Sequence, residues 1–264
     1  MMIQRVSRHY LREAVITLDK ATLETILGRL REMRLPEMAN QMILLNETGE
    51  LNTISAEELI MRLTSEELLS RKNNTVERYR KNAKLSQPSA ELRNIDYRPE
   101  RKINEAVIQQ ISDDQYILKN RNIVILGACG TGKSFIANAL ASNACRLFHT
   151  ALYCRMFEIL QTTNSERLLS GDTVKSINKY VKPDVLVIDD FMNQKLTERE
   201  CIDLFKILEY REGHGSTIVA SQLEPKEWHR NLGGNILADS ILDRVTAKAY
   251  KLTLAGDSRR SSSE

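Results

Sequence analysis

Cysteine is scarce in this chain and shows no pattern. Cys129, Cys145, Cys154 and Cys201 form no CxxC pair and have no histidine partner at ligand spacing. Zinc modules and disulfide frameworks need such patterns, so the four are read as buried or half-buried thiols in a reducing cytosol. Long apolar runs are also missing, and none approaches the length that crosses a bilayer. The opening stretch, residues 1–18, lacks an extended apolar core and a small-residue cleavage site, so no secretory leader is expected. No internal repeat is visible. Net charge is small as well: 38 Lys+Arg against 35 Asp+Glu give a formal +3 over 264 residues. As a total, that argues against a protein that coats nucleic acid. The excess is localised, however. Residues 1–104 hold 18 basic and 15 acidic side chains, whereas residues 105–264 hold 20 of each. Arg71, Lys72, Arg78, Arg80, Lys81 and Lys84 crowd into residues 71–84 with Glu77 as the only acid. Such a stretch attracts phosphate backbones or serves as a solvated helix face.

What is present supports a folded chain. At 42% hydrophobic and 28% charged residues it can build a core, and its length fits one large domain or one domain with a smaller appendage. Apolar residues recur at helical spacing at Leu23, Ile26, Leu27 and Leu30, and again at Met38, Met42 and Leu45. Pro36, between the two sets, is placed to start a second helix. Ser55 with Glu58 forms a capping box ahead of Leu59, Leu63 and Leu68. Residues 1–84 are therefore expected to form a small all-helical domain that ends in the basic segment. Residues 85–102 hold prolines and polar residues and read as a linker. From about 103 to 256, short β-branched stretches alternate with helical ones, the pattern of an α/β domain with a mostly parallel five-stranded sheet. Strands are expected at 122–126, 151–155, 184–189, 216–221 and 249–254. Residues 257–264 are expected to be a disordered tail.

The chemistry is concentrated in that second region. Gly127, Ala128, Cys129, Gly130, Thr131, Gly132, Lys133 and Ser134, followed by Phe135, satisfy G-x-x-x-x-G-K-[ST] between a hydrophobic strand and an Ala-rich helix. Glycines let the backbone wrap round phosphate and turn its amides inward, and the helix N-terminus adds partial positive charge. Lys133 reaches the β- and γ-phosphates of ATP, and the Ser134 hydroxyl ligates Mg²⁺. Val185–Ile188 is a buried-strand pattern that ends in Asp189 and Asp190. Asp189 is placed to hold the metal, directly or through water, and Asp190 to polarise the attacking water. The bland alternative is two acids that merely open a loop. Ser221-Gln222 closes a later strand, where a polar side chain can meet the water or the γ-phosphate or can simply form a turn. Arg244 is a candidate finger for a neighbouring subunit's γ-phosphate, with Arg211 as a second candidate. A surface salt bridge from Arg244 to Asp243 or Asp239 fits the spacing equally well.

Taken together, GACGTGKSFIANALA, VLVIDDF, STIVASQLEPKEWH and ILADSILDRV resemble the IstB/DnaC family of AAA+ ATPases, and within it the IstB-type helpers of bacterial insertion sequences. LREMRLPEMANQM and RYRKNAKL are similar to segments of those helpers, so the resemblance runs over nearly the whole chain. SQLEPKEWH sets the branch apart from helicase loaders. The resemblance implies an AAA+ core behind a helical domain, in a cytoplasmic bacterial protein that works at the nucleoid. It further implies ATP-dependent self-assembly on double-stranded DNA, deformation of that DNA, and recruitment or activation of a cognate transposase. It carries over Lys133 and Ser134 as P-loop residues, Asp189 as the magnesium carboxylate, Gln222 as the sensor-like residue and Arg244 as the finger. Two features depart from the family. The second acid is Asp190 where Glu is frequent, and the lid after Arg244 is short, leaving Arg259 and Arg260 as candidates for a second sensor. Tyr79 in the basic segment could stack on DNA or pack in a core. The competing readings are a helicase loader of the same fold, and a DNA scaffold that binds ATP but barely turns it over.

Overall fold

The computed structural model describes residues 18–258; Arg259 and Arg260 lie outside the described residues. Two compact units are formed, divided between Thr75 and Val76. The expected boundary was at 84. The division falls inside a long helix because a helix's hydrogen bonds carry on past the point where its side chains change neighbours.

The first unit contains α1 (Lys20–Glu32), α2 (Pro36–Glu47) and the first part of α3 (Ala56–Asn82). Pro36 occupies the first turn of α2 as its spacing predicts, and Ser55 Oγ accepts the Glu58 amide at the start of α3. Met42, Leu45, Leu51, Ile54, Leu59 and Leu63 form the core of this unit. The N-cap of α2 is Leu35, which has no side-chain acceptor. Glu67 of α3 replaces it: its Oε2 accepts the Glu37 amide at 3.0 Å and lies 3.4 Å from the Met38 amide. A carboxylate at a helix N-terminus satisfies otherwise orphaned donors and opposes the dipole.

The second unit takes up the remainder of α3, then α4 (Glu105–Gln110), α5 (Gln115–Leu118), β1 (Ile123–Gly127), α6 (Lys133–Arg146), β2 (Ala151–Arg155) and α7 (Met156–Ser170). It continues with α8 (Val174–Val181), β3 (Val185–Asp189), α9 (Glu198–Arg211), β4 (Ser216–Ser221), α10 (Pro225–Asn231), α11 (Ile236–Thr246) and β5 (Tyr250–Leu254). The five strands are ordered β2-β3-β4-β1-β5, and every pairing is parallel. Strand residues alternate between two apolar layers, as the two-residue period of a strand requires. Val124, Leu126, Leu152, Leu186, Ile188 and Val219 face one layer, which α7–α11 help to fill. Ile123, Ile125, Tyr153, Val185, Val187 and Ile218 face the other, built largely on α6. This is a doubly covered parallel sheet.

Residues 85–102 do not behave as a linker. Ile95 is buried in the α6 layer, Leu85 and Leu92 pack against it, Ala90 is fully buried, and the chain makes 3₁₀ turns at Leu92–Asn94 and Pro99–Arg101. Prolines and polar residues mark turns in the backbone, but they do not stop the intervening apolar side chains from packing. Asp257 and Ser258, expected as the start of a disordered tail, also belong to the second unit, where Ser258 lies against Gly130.

Candidate functional site

The strand order decides where the chemistry can occur. β4 lies between β3 and β1, so the exits of all three strands meet on one edge of the sheet. That edge is where ligands bind in open α/β folds. The loop from β1 into α6 carries the glycine-rich motif, β3 ends at Asp189, and β4 delivers Gln222 between them. A cavity of about 370 Å³ opens here, lined by Gly130, Gly132, Lys133, Ser134, Asp190 and Gln222 among others. Cys129 and Phe135 complete the motif's share of the wall, and Gln87 and Asn94 face it from the segment before β1.

The P-loop backbone is tightly constrained. Gly127 has φ +156°, and a Cβ there would stand 2.6 Å from Leu254 O. Gly132 has φ +93°, and a Cβ there would stand 2.9 Å from Arg101 Nη2. Only glycine fits both the angle and the space. Lys133 Nζ donates to Ala128 O at 2.7 Å, so the lysine folds back over its own loop, and Thr131 Oγ1 donates to the same carbonyl at 2.9 Å. Arg101 braces the loop from behind by donating to Thr131 O. Among the cysteines, Cys145, Cys154 and Cys201 are buried, with their thiols pushed up by desolvation, to about 11 for Cys145. Cys129, in the loop, is exposed.

Asp189 is 2% exposed and set back from the cavity wall. Its Oδ2 accepts the Tyr153 hydroxyl at 2.6 Å and its Oδ1 accepts the Asp190 amide at 2.9 Å. Burial, and the hydrogen bond to Asp189, raise the Tyr153 phenol to about 12, so it stays a donor. Asp190 has φ +53°, left-handed backbone that costs a non-glycine residue about 1 kcal/mol or more. That turn brings its side chain to the cavity, where Oδ1 accepts Asn193 Nδ2 at 3.1 Å. Ser221 turns out to be a strut. It is 0% exposed, donates to Phe191 O at 2.7 Å and accepts Trp228 Nε1 at 3.0 Å. Gln222 alone of that pair reaches the cavity.

The two candidate fingers separate. Arg211 is 2% exposed. Its guanidinium donates to the carbonyls of Tyr180, Val181, Pro183, Asp184 and Ser216 and to Thr217 Oγ1. Every donor is spent inside its own subunit, and desolvation pulls its pKa down to about 10. The expectation that Arg211 could serve as a finger is therefore corrected: it binds the α8–β3 turn to β4. Arg244 is different. Its backbone carbonyl accepts Asn122 Nδ2 at 2.6 Å, at the entry of β1, whereas the P-loop begins at the exit of the same strand. At ~3.3 Å per residue, five strand residues separate the two ends by roughly 16 Å. Arg244 rests on Phe205, 4.5 Å from the ring centroid, with Glu212 at 3.2 Å and Glu209 at 3.6 Å, rather than Asp239 or Asp243. It borders a second cavity of about 430 Å³ at the base of the sheet.

The basic segment is divided by function. Arg71 donates to Glu67 and to Arg34 O, and so supports the cap on α2. Arg80 donates to Pro88 O. Lys72, Arg78, Lys81 and Lys84 are exposed, while Tyr79 packs against the α6 layer as a core residue. Gln87, Asn94, Arg101 and Tyr153 escaped the sequence reading because each meets the site across a long stretch of chain. Alternation along β2 could have put Tyr153 on one face, but not opposite Asp189 without the strand order.

Among the described residues, no helix is long and apolar enough to cross a membrane, and no histidine–cysteine–carboxylate group is arranged to hold a metal. The oxygen donors of Ser134 and Asp189 instead suit a hard cation that binds beside phosphate. A solved structure of DnaI superposes over 65% of this chain and 91% of that one, with TM-score 0.53 and 19% identity. AMPPCP-bound DnaA from Aquifex aeolicus superposes over 66% and 52%, with TM-score 0.52 and 22% identity. These likenesses establish an AAA+ P-loop fold. An insertion sequence ATP-binding protein of Sinorhizobium fredii is 31% identical over 234 residues, covering 89% of this chain and 94% of the relative. The ATP-binding protein of insertion sequence IS1162 of Pseudomonas fluorescens is 34% identical over 202 residues, 75% and 85% of the two chains. The family model described as IstB-like ATP binding protein matches residues 28–264, and the chain belongs to that family.

Proposed function

We propose that the protein is an ATP-hydrolysing switch that assembles on double-stranded DNA and recruits or activates the transposase of its insertion sequence. The observation that supports it most is the convergence of Lys133, Ser134, Asp190 and Gln222 on one cavity, with Asp189 beside it. In this reading the P-loop amides and Lys133 hold the phosphates of ATP. Ser134 and Asp189 would hold Mg²⁺, which would supply neutralisation of the phosphate charge. Asp190 accepts a proton from the attacking water, and Gln222 orients that water or the γ-phosphate.

Arg244 cannot serve its own nucleotide from the far end of β1. It would leave Glu209 and Glu212 to meet the γ-phosphate of a neighbouring subunit. Hydrolysis removes that contact and weakens the assembly, because ATP binds the assembled state preferentially. Exposed Lys72, Arg78, Lys81 and Lys84 supply a salt-dependent, sequence-tolerant attraction to DNA. Leu44, Ile60, Met61, Leu68 and Leu69 of the helical unit are also exposed, which supports a protein partner for that unit. The relatives' insertion sequences make a transposase the first choice, and parallel pull-downs with transposase and with replicative helicase separate this from helicase loading.

Phosphate release with and without duplex DNA tests the reading. The natural protein should release phosphate faster on DNA, and Lys133→Ala should lose most of that rate. Release no greater than from Lys133→Ala would leave only an ATP-binding scaffold.

A further inference from the structure

Tyr153 lies in β2 at 6% exposure, with its ring in the α6 layer. β2 and β3 run parallel, with Tyr153 opposite Val187 and Arg155 opposite Asp189. Tyr153 and Asp189 therefore share a face as diagonal neighbours, a separation of ~7–8 Å that an aromatic side chain spans. The phenol donates to Asp189 Oδ2 at 2.6 Å, while the other oxygen takes the Asp190 amide. Among the described residues, the hydroxyl is thus the one side-chain donor on that carboxylate. Apolar packing does not require it, since phenylalanine would fill the same space.

Ser86 and Arg155 neighbour the phenol, and both oppose the rise in its pKa that burial causes. Ser86 Oγ accepts Asn138 Nδ2 at 3.1 Å, and the same amide nitrogen donates to Ser134 O at 2.7 Å. Asn138 Oδ1 accepts the Gln87 amide at 3.2 Å, so both ends of this 0%-exposed amide are satisfied. The Tyr153 amide donates to Ala83 O at 2.7 Å. Hydrogen bonds thus join Ser134 to Ser86 through Asn138, and Tyr153 to Asp189, with Ser86 beside the phenol. Ser134 and Asp189, at the two ends, are the residues whose oxygens are suited to the cation.

We propose that Tyr153 is a positioning residue for the magnesium site, fixing the Asp189 carboxylate relative to Ser134 through Ser86 and Asn138. The proposal rests on reading the cavity as a magnesium–nucleotide site. Outer partners of metal ligands carry about 10- to 100-fold in metal affinity when removed.

The test is binding of a fluorescent, non-hydrolysable ATP analogue, first in EDTA and then across a magnesium titration, to the natural protein, Tyr153→Phe and Ser86→Ala. Tyr153→Phe should bind the analogue in EDTA as the natural protein does, yet need about 10-fold more magnesium for the half-maximal rise in affinity. Ser86→Ala should shift the same way by less. Thermal melts check that both variants remain folded. An unchanged magnesium midpoint in Tyr153→Phe overturns the proposal, as does an equal loss of affinity with and without the metal, which would mark the hydroxyl as a support of the fold. If the natural protein shows no magnesium dependence, the magnesium reading of the cavity fails first and the proposal falls with it.

Discussion

Asp190 occupies a backbone conformation that few residues other than glycine, asparagine and aspartate adopt cheaply, and the turn aims its carboxylate at the cavity. Asp190→Asn keeps the turn and removes the proposed base. Hydrolysis should fall about 100-fold or more, within the range general-base catalysis contributes, with nucleotide affinity preserved. Equal turnover in a phosphate-release assay would show that another group handles the proton. Asp190→Glu lengthens the reach by one methylene, and faster turnover in that variant would mean the natural carboxylate sits short of its ideal place. Arg211 lies at the opposite extreme. Arg211→Ala leaves five carbonyls around an empty space and should destabilise the second unit by about 3–5 kcal/mol. Denaturant unfolding would measure it. Arg211→Lys should recover only part, because an ammonium cannot reproduce the planar fork.

α2 illustrates how an element depends on a residue far along the chain. Burial pushes the Glu67 carboxyl upward, but Arg71 and the Glu37 and Met38 amides outweigh it, and the net shift is below the ordinary 4.5. A group lowered in the folded state contributes stability above its unfolded pKa and loses it as pH falls through the folded value. Glu67→Gln should therefore melt earlier than the natural protein at pH 7, by an amount near the ~1 kcal/mol of a helix cap, and the gap should close on acidification below the carboxylate range. A gap that persisted at low pH would show that the carboxylate's charge is not what caps α2. The same element explains what could be read in advance. Pro36, Ser55–Glu58, the β-branched strands and the G-x-x-x-x-G-K-S loop are local signals, and the structure has each where its spacing points. The Glu67 cap, the Arg101 brace, the Tyr153–Asp189 hydrogen bond and the spent donors of Arg211 join residues many positions apart. Register and strand order create those meetings, and a single sequence does not display either. The expectation of a linker fails for a related reason: its prolines are local, but the packing of Leu85, Leu92 and Ile95 depends on the α6 layer.

At the scale of the whole molecule, the proposed reading has one subunit sufficient to bind ATP and dependent on a neighbour's arginine for turnover. The P-loop, Asp189, Asp190 and Gln222 meet at the exits of β1, β3 and β4, while Arg244 lies at the other end of β1. The small net charge, with its excess in the first 104 residues, fits the same proposal: attraction to DNA would be weak per subunit and would accumulate with assembly. Mixing two inactive proteins tests the arrangement most directly. Lys133→Ala destroys its own nucleotide site and keeps its finger; Arg244→Ala keeps its site and loses its finger. Each alone should be nearly inactive in DNA-stimulated phosphate release. Mixed on duplex DNA with ATP, they should regain a sizeable share of the natural rate, because the finger of one subunit completes the site of the other. A mixture no more active than the sum of its parts would contradict the account.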